Sequence, residues 1–299
     1  MTDAALPASP APQAAAQQPA AQQAPSVPPP DPWGPLRAHT PARIALGRTG
    51  ASLPTAEVLR FAAAHAQARD AVHQTLDCDA LSTALQADGW ATHTLTSAAA
   101  DRATYLRRPD LGRRLAPTSA AALQALAAMP TPPTTAAPHD LALLLADGLC
   151  ATAAQQHGVA VLHHLRAALA GALRLSPVFL ATQARVALGD EVGALVGARA
   201  VLVLLGERPG LSSPDSLGAY LTFAPRVGRS DAERNCVSNI RPAGLAPELA
   251  AARLAWLVQE ALRLRLTGVA LKDGSATPLL AASTGINPGG DTGNDTGGG

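Results

Sequence analysis

The run AVLVLL at residues 200–205 constrains the fold most, because it is an unbroken apolar segment of strand length. Such runs are typical of strands whose two faces are covered by helices in a parallel sheet. Directly after it the chain becomes polar and rich in Gly and Pro, as GERPGLSSPD at 206–215. Ligands of open α/β sheets bind just outside the carboxyl ends of the strands. The sequence therefore predicts a central strand at 200–205 and a functional site in the loop that follows it.

Strand-like and helix-like segments alternate along most of the chain. Strands are predicted at residues 91–96, 141–145, 177–181, 200–205 and 269–271. Helices are predicted at residues 54–73, 79–87, 117–128, 151–173, 190–197 and 247–266. This alternation predicts an α/β fold with a doubly wound, mostly parallel, Rossmann-like sheet and right-handed crossovers.

Composition divides the chain into four regions. Residues 1–35 are almost wholly Ala, Pro, Gln and Ser, and this predicts a disordered tail because they have no large apolar side chains at helical spacing. Residues 36–100 predict a small helical amino-terminal domain, residues 101–283 the α/β domain, and residues 284–299 a flexible Gly-rich tail. The first helix of the amino-terminal domain is predicted to turn four apolar residues inward: Leu59, Ala62, Ala63 and Ala66.

Charge, hydropathy and cysteine spacing argue against several classes of protein. The net charge of +1 lacks the basic excess of a nucleic-acid-binding protein. No apolar stretch reaches the roughly 18–20 residues of a membrane span, and no charged and then apolar leader opens the chain. Cys78, Cys150 and Cys236 are far apart, which argues against a disulfide framework or a zinc ribbon. The sequence therefore predicts a soluble, cytoplasmic protein without a membrane or nucleic-acid partner.

The usual nucleotide-binding motifs are missing from the sequence. No G-x-G-x-x-G follows a predicted strand, and the sole lysine, Lys272, lies too near the carboxyl end for a Walker motif. Gly189, Gly193 and Gly197 recur every four residues in and beside one predicted helix. They would let this helix closely approach the sheet, a neighbouring subunit or a flat ligand, and packing on the sheet is the favoured alternative.

Two further sets of polar residues are weak candidates for a site. His157, His163 and His164 lie in or beside one predicted helix, but no carboxylate at a ligand spacing completes a metal set. A solvated or core role is therefore favoured for them. Ser212 and Ser213 lie in the loop after 200–205, but no histidine with an acidic partner can be assigned to activate them.

Two carboxylates follow predicted strands and leave two alternatives open. Asp147 comes after the strand at 141–145, where it would either cap the next helix or bind a ligand. Glu207 comes directly after the strand at 200–205. A carboxylate there is costly to desolvate unless it accepts hydrogen bonds, so Glu207 is either an anchor for the Gly/Pro loop or a ligand acceptor.

Four sequence blocks, in their order and approximate spacing, resemble one protein family. They are ARIALGRTG at 42–50, YLRRPDLGRR at 105–114, GERPGL at 206–211 and DAERNCVSNI at 231–240. On these blocks the chain resembles the small subunit, or light chain, of ethanolamine ammonia-lyase. The resemblance covers the chain from about Leu36 to Asp273 and leaves out both tails.

The resemblance implies an adenosylcobalamin-dependent enzyme that converts ethanolamine into acetaldehyde and ammonia by a radical mechanism. It implies that a large subunit, a TIM barrel, holds the substrate, that six copies of each chain assemble, and that residues 101–283 close over the cobalamin. The sequence itself offers no residue set for binding the substrate or catalysing its rearrangement, so no catalytic or metal-ligating residue is predicted on this chain. Some family members are packaged in a bacterial microcompartment through an amino-terminal segment. Here that segment lacks an amphipathic pattern, so packaging is not predicted.

Where the family's motifs match this sequence, the resemblance implies three cobalamin-binding residues: Val186, Glu207 and Cys236. Val186 would pack on the corrinoid, Glu207 would accept hydrogen bonds from its amides, and Cys236 would make a small, semi-apolar contact. The sequence has no D-x-H-x-x-G motif, the motif of proteins that place a histidine on cobalt. The cofactor is therefore predicted to bind base-on, with its own dimethylbenzimidazole on cobalt.

Two alternatives come from other functional classes. One is a non-catalytic α/β module that carries or senses cobalamin or a phosphorylated metabolite, and it would bind its ligand without a partner. The other is a phosphate-ester enzyme that uses Arg208 and the amides of the loop, and it would turn over alone. A lyase small subunit, in contrast, would bind cobalamin well only together with its large subunit.

Overall fold

The computed structural model of the chain describes residues 32–40, 42–128 and 139–275. The chain divides into two compact units, Met1–Thr55 and Ala56–Gly299. In the first, the described residues form a short 3-10 helix at Gly34–Ala38 and a tight turn closed by a bridge between Thr49 and Ser52. The predicted tail at 284–299, and all but four residues of the one at 1–35, lie outside the described residues.

The second unit contains the β-sheet and the helices that pack on it. The helices are α1 (Thr55–His73), α2 (Cys78–Ala87), α3 (Arg102–Arg107), α4 (Pro117–Ala127), α5 (Ala151–Leu169), α6 (Leu188–Leu195) and α7 (Pro247–Leu264). The strands are β1 (Thr92–Thr96), β2 (His139–Ala146), β3 (Leu175–Thr182), β4 (Ala198–Gly206), β5 (Leu217–Phe223) and β6 (Arg234–Ile240). None of the described helices combines the length and apolar character needed to cross a bilayer.

Local capping signals set the first residues of several helices. The Asp77 carboxylate accepts the Ala80 N–H at 2.9 Å, and the Asp101 carboxylate accepts the Thr104 N–H at 2.7 Å, so each caps the helix that follows it. Helices α4 and α7 begin with Pro in the first turn, where no intrahelical N–H is required. These signals are local in sequence, which is why the predicted bounds of α2, α4 and α7 agree with the structure.

The described strands form one mixed sheet in the order β1-β3-β2-β4-β5-β6. The strands from β1 to β4 are parallel, and β5 and β6 are added antiparallel at one edge. The connections β1 to β2 and β3 to β4 move towards that edge and use α4 and α6, whereas the connection β2 to β3 moves away from it and uses α5. Because α4 and α6 lie on one face and α5 on the other, these crossovers share one hand.

Apolar layers cover both faces of the sheet. Along β2, Leu143 and Leu145 belong to the layer with α2, α5 and α7, and Leu144 and Ala146 belong to the layer with α4 and α6. Strands β2 and β4 are therefore buried on both sides, which explains their unbroken apolar sequences. The predicted α/β class and the central strand at 200–205 are confirmed.

Glycines in α6 let this helix lie directly on the sheet. A Cβ atom on Gly189 would lie 2.3 Å from Cγ2 of Val203, and one on Gly193 would lie 3.2 Å from Cβ of Val201, and both valines belong to β4. Of the three roles considered for this glycine repeat, packing on the sheet is confirmed for these two residues. Gly197 follows the helix and has φ of 66°, a left-handed conformation that favours glycine.

The structure differs from the sequence predictions in two elements and adds two others. The predicted strand at 269–271 is wrong, because a short 3-10 helix occupies Gly268–Ala270. The predicted inner face of α1 is also wrong: Leu59 is exposed, and the buried residues are Ala64 and Ala71. Apolar residues lie all around α1, so its sequence does not distinguish one face. Strands β5 and β6 were not predicted, and they make the sheet mixed.

A separate helical domain at 36–100 is not confirmed. Strand β1 falls in this range and is the edge strand of the main sheet, paired with β3. Leu81 and Leu85 of α2 belong to the same apolar layer as α5. The chain from α2 onward therefore contributes to the core of the α/β fold.

Candidate functional site

A cavity of about 500 Å³ lies at the carboxyl ends of β3 and β4. Loop residues after β3 and the end of β4 form much of its wall, and residues from four other segments complete it. The lining residues are Tyr105, Arg113, Leu149, Arg185, Val186, Ala187, Leu205, Gly206, Glu207, Arg208, Tyr220 and Asp231. This is the edge at which open α/β sheets bind ligands. It includes the loop that the sequence predicted as the site.

Two glycines let the turns after β2 and β4 touch beside the cavity. A Cβ atom on Gly206 would lie 1.9 Å from the Cys150 carbonyl oxygen, and one on Gly148 would lie 2.1 Å from the Gly206 carbonyl oxygen. The same Gly206 carbonyl accepts the Leu149 N–H at 2.9 Å. Backbone thus packs on backbone here, which leaves no space for a larger residue.

The buried carboxylate of Asp147 holds the loop that carries Val186. It accepts the N–H groups of Gln183 at 2.8 Å and Ala184 at 3.0 Å. Burial raises the pKa of Asp147, while these hydrogen bonds and the Arg102 guanidinium, 3.2 Å away, favour the ionised form. Asp147 neither caps α5, whose N-cap is Cys150, nor lines the cavity. It is a structural anchor for the β3–α6 loop.

Tyr105 holds the same loop from the other side. Its hydroxyl donates to the Ala184 carbonyl oxygen at 3.0 Å, and the Arg185 guanidinium stacks over its ring, 4.3 Å from the centroid. Burial raises the pKa of Tyr105 to about 12, so the hydroxyl stays a donor at neutral pH. The Arg185 N–H donates to the Gly112 carbonyl oxygen at 2.8 Å. The backbone next to Val186 is therefore fixed before any ligand binds.

Hydrogen bonds of Glu207 link the end of β4 to the start of β5 and the end of β6. Its N–H donates to the Ser216 carbonyl oxygen at 2.9 Å, and its Oε2 accepts the Ser216 hydroxyl and, at 3.4 Å, the Asn239 N–H. The described residues donate no hydrogen bond to Oε1, and Glu207 is half-buried in the cavity wall. Oε2 therefore anchors the loop, whereas Oε1 has no hydrogen-bond donor among the described residues.

Cys236 does not line the cavity but is the cross-strand partner of Tyr220, which does. Burial raises the pKa of Tyr220, and the neighbouring Cys236 and Glu207 raise it further. Cys236 is exposed as a residue, yet partial desolvation of its sulfur raises the pKa of its thiol. Both groups are therefore neutral near pH 7, and the thiol lacks the thiolate character of a nucleophile.

Comparison with known proteins identifies the family. The family model of the ethanolamine ammonia-lyase light chain (EutC) matches residues 30–272. The chain belongs to this family. It is 54% identical over 265 residues to the ethanolamine ammonia-lyase small subunit of Xanthomonas campestris pv. campestris, a match that covers 87% of this chain and 94% of the relative. The small subunit of Bradyrhizobium diazoefficiens is 54% identical over 243 residues, with 81% and 90% covered. That of Azotobacter vinelandii is 53% identical over 260 residues, with 87% and 94% covered.

The structure brings together part of what the sequence predicted for this member of the family. Val186 and Glu207 line one cavity, and Cys236 lies one side chain away from it, beside Tyr220. Tyr105 and Arg113 also line the cavity, although sequence reasoning gave them no role there. Both belong to the block YLRRPDLGRR, whose density of arginines was the available signal.

His157, His163, His164, Ser212 and Ser213 lie outside this cavity. His163 faces Asp88 at 2.7 Å and His164 faces Glu248 at 3.3 Å, as a solvated role predicts. His157 is buried. Among the described residues, no group of three or more His, Cys, Asp or Glu side chains is placed to hold a metal ion.

Proposed function

We propose that this chain is the small subunit of an adenosylcobalamin-dependent ethanolamine ammonia-lyase and binds the cobalamin at its interface with the large subunit. One observation carries the proposal: Val186 and Glu207 meet in a cavity at the carboxyl edge of the sheet, with Cys236 next to its wall. Family membership and relatives named as small subunits support a large-subunit partner. We further propose that six copies of each chain assemble.

The residues of the cavity fit a corrinoid that is shared between two chains. A cavity of about 500 Å³ is of the size that holds a drug-sized ligand, and a cobalamin is larger, so this chain would supply one wall. Val186 would pack against the corrin, and the Oε1 atom of Glu207 would accept hydrogen bonds from its side-chain amides. Cys236 would make a small contact beside Tyr220.

The bound cofactor would supply the radical chemistry, by homolysis of its cobalt–carbon bond. This chain would bind the corrinoid, orient it and exclude water from it. The described residues of the cavity include no histidine, serine or cysteine that could pair as nucleophile and base. We therefore place substrate binding and rearrangement on the large subunit.

We also propose that the cofactor binds base-on. The sequence has no D-x-H-x-x-G motif, and no described residue that lines the cavity is a histidine. The test is electron paramagnetic resonance of the cob(II)alamin form in a complex whose chains carry ¹⁵N-labelled histidine. The nitrogen splitting should match that of the unlabelled complex. A changed splitting would show that a protein histidine is on cobalt.

The main experiment is ammonia release from ethanolamine in the presence of adenosylcobalamin. Four samples are compared: this chain alone, the large subunit alone, the mixture, and the mixture with Glu207→Ala. We expect activity only in the mixtures, with a higher cobalamin requirement in the variant and a kcat close to that of the wild type. Glu260→Ala, which removes the half-buried partner of the exposed Arg263 on α7, is the control and should leave the cobalamin requirement unchanged.

Two outcomes would contradict the proposal. The first is no activity in any sample while this chain alone still binds cobalamin, which would indicate a carrier or sensor. The second is an equal cobalamin requirement for Glu207→Ala and wild type, which would show that Glu207, in the loop after β4, does not contact the cofactor.

A further inference from the structure

Six arginines line a groove made of two adjoining cavities. The first is the cavity described above, and the second, of about 540 Å³, shares Arg113, Ala187 and Asp231 with it. Arg185 and Arg208 line the first cavity, and Arg114, Arg229 and Arg234 line the second. Arg113 therefore lies where the two cavities join.

The guanidinium groups of Arg113, Arg114, Arg185 and Arg208 form no ion pair with a carboxylate among the described residues. Most carboxylates of the groove already form ion pairs with arginines other than these four. Asp110 lies 2.7 Å from Arg108, Asp190 lies 2.6 Å from Arg234, and Asp231 lies 3.4 Å from Arg234. Of these, the Asp190–Arg234 pair is buried and bidentate. The groove therefore presents an excess of unpaired positive charge, although the Glu207 carboxylate also lines it.

One of these arginines is held in place and has a donor to spare. Arg185 stacks on the ring of Tyr105, and its Nε atom is buried without a hydrogen-bond partner among the described residues. A buried donor that lacks an acceptor costs free energy, which a bound acceptor would recover. Guanidinium groups also match phosphate oxygens with paired hydrogen bonds. These features are those of a phosphate site.

We propose that this groove binds the phosphodiester in the nucleotide tail of the cobalamin, with Arg113 as the central contact. The inference rests on the proposed function, because the phosphodiester belongs to that cofactor. Ala187, shared by both cavities, follows Val186 directly, so a corrin ring packed on Val186 would have its tail beside Arg113. Arg113 and Arg114, at the end of the block YLRRPDLGRR, would then supply the tail contacts, as the blocks at 206–211 and 231–240 supply those to the ring.

The test compares two corrinoids in the complex of this chain with the large subunit. Adenosylcobalamin carries the nucleotide tail, whereas adenosylcobinamide lacks the nucleotide and its phosphodiester. Dissociation constants are measured by absorbance titration for wild type and Arg113→Gln. We expect the variant to bind adenosylcobalamin about tenfold more weakly, since one charge-assisted contact is lost, and to bind adenosylcobinamide within about twofold of wild type.

Matched variants separate phosphate binding from folding and from general charge. Arg107→Gln removes an exposed arginine of the same block that lies outside both cavities, and it should bind both corrinoids like wild type. Because Arg113 is itself exposed, the thermal unfolding midpoint of Arg113→Gln should match that of wild type. An equal loss of affinity for both corrinoids would overturn the inference, and so would no loss for either. A wild-type complex that binds neither corrinoid would overturn the proposed function as well.

A second arm distinguishes the cofactor's own phosphodiester from a separate anion. Inorganic phosphate is added at constant ionic strength, with chloride as the replacement. If the groove takes the phosphodiester, phosphate should weaken the binding of adenosylcobalamin and leave that of adenosylcobinamide unchanged. Binding of adenosylcobalamin that does not respond to phosphate would assign the groove to another ligand and overturn the inference.

Discussion

The hydroxyl of Tyr105 donates a hydrogen bond of 3.0 Å to the carbonyl oxygen of Ala184, a residue 79 positions further along the chain. The N–H of the same Ala184 donates to Asp147. The N–H and the carbonyl group of Ala184, which is fully buried, thus both form hydrogen bonds with side chains from other segments. Val186 lies two residues on, so the position of this predicted contact depends on side chains from two other segments of the chain.

Tyr105→Phe should destabilise the chain by about 1–3 kcal/mol, because it leaves the buried Ala184 carbonyl without its donor while keeping the ring. The loop at 183–187 would also be less ordered, so the complex should bind cobalamin more weakly at a similar kcat. Urea unfolding of this chain and a cobalamin titration of the complex measure the two effects. Thr83→Ala removes an exposed hydroxyl on α2 and should change neither. An unchanged urea midpoint for Tyr105→Phe would contradict the anchoring role.

Gly206→Ala should destabilise the fold by at least about 1–3 kcal/mol, the usual cost of overpacking. The added Cβ atom would lie 1.9 Å from the Cys150 carbonyl oxygen and 2.5 Å from that of Asp147, and neither backbone atom can move without shifting its turn. Gly210→Ala in the same loop is the control, because its Cβ atom would lie 3.7 Å from its nearest neighbour. Equal thermal unfolding midpoints for the two variants would show that the turns after β2 and β4 are further apart than described.

Sequence predicts this fold well where burial is two-sided and poorly at the antiparallel edge. The run at 200–205 is apolar because helices cover both of its faces, so a simple run of side chains identifies β4. Strand β6 reads RNCVSNI, with most of its residues at least partly exposed, and without a continuous apolar pattern it resembles a loop. Strand β5 begins directly after the Gly/Pro loop and contains Gly218, both of which weaken a strand pattern.

In the candidate site, too, local sequence predicts some residues, whereas contacts between distant parts of the chain are not predicted. The position of Glu207 follows from local sequence, since it comes directly after a buried strand. The contacts of Asp147 and Tyr105 with the β3–α6 loop join residues that are 36 to 79 positions apart. No periodicity or spacing in one sequence encodes such pairs, because they depend on the order of strands in the sheet. That order was not part of the prediction.

Asp140→Asn should destabilise the chain by about 1–3 kcal/mol at pH 7, because it removes an ionised acceptor of several hydrogen bonds. The Asp140 carboxylate accepts Arg174 Nε–H at 3.1 Å and Arg199 Nη1–H at 3.1 Å, and these contacts lower its pKa from 3.8 to about 2. A lowered folded-state pKa means that the stabilisation is complete above about pH 3.8 and is lost as the pH falls towards 2. The difference between variant and wild type should therefore shrink over this range.

Unfolding midpoints measured in urea from pH 7 down to the lowest pH at which the chain stays folded would check this prediction. Asp70→Asn is the control, because Asp70 is exposed and its carboxylate lies 3.5 Å from the exposed Arg69. It should have little effect at any pH. Asp140 is the second residue of β2 and lies at the opposite end of this strand from the cavity, so its variant should keep the wild-type cobalamin requirement. A stability difference for Asp140→Asn that does not change with pH would show that its carboxylate is not the ionised partner of these arginines.

Adenosylcobalamin should protect Cys236 from alkylation in the complex, because the thiol lies beside Tyr220 at the cavity wall. The three cysteines form a built-in comparison, since Cys236 is exposed, Cys78 is half-buried and Cys150 is buried. Desolvation raises the pKa of the Cys236 thiol, so its labelling by N-ethylmaleimide should be slow at pH 7 and accelerate as the pH rises. Peptide mass spectrometry gives the rate at each cysteine with and without the cofactor. Protection of Cys236 with unchanged labelling of Cys78 would support contact between Cys236 and the corrinoid. Equal labelling of Cys236 with and without the cofactor would show that Cys236 does not lie at the cobalamin site.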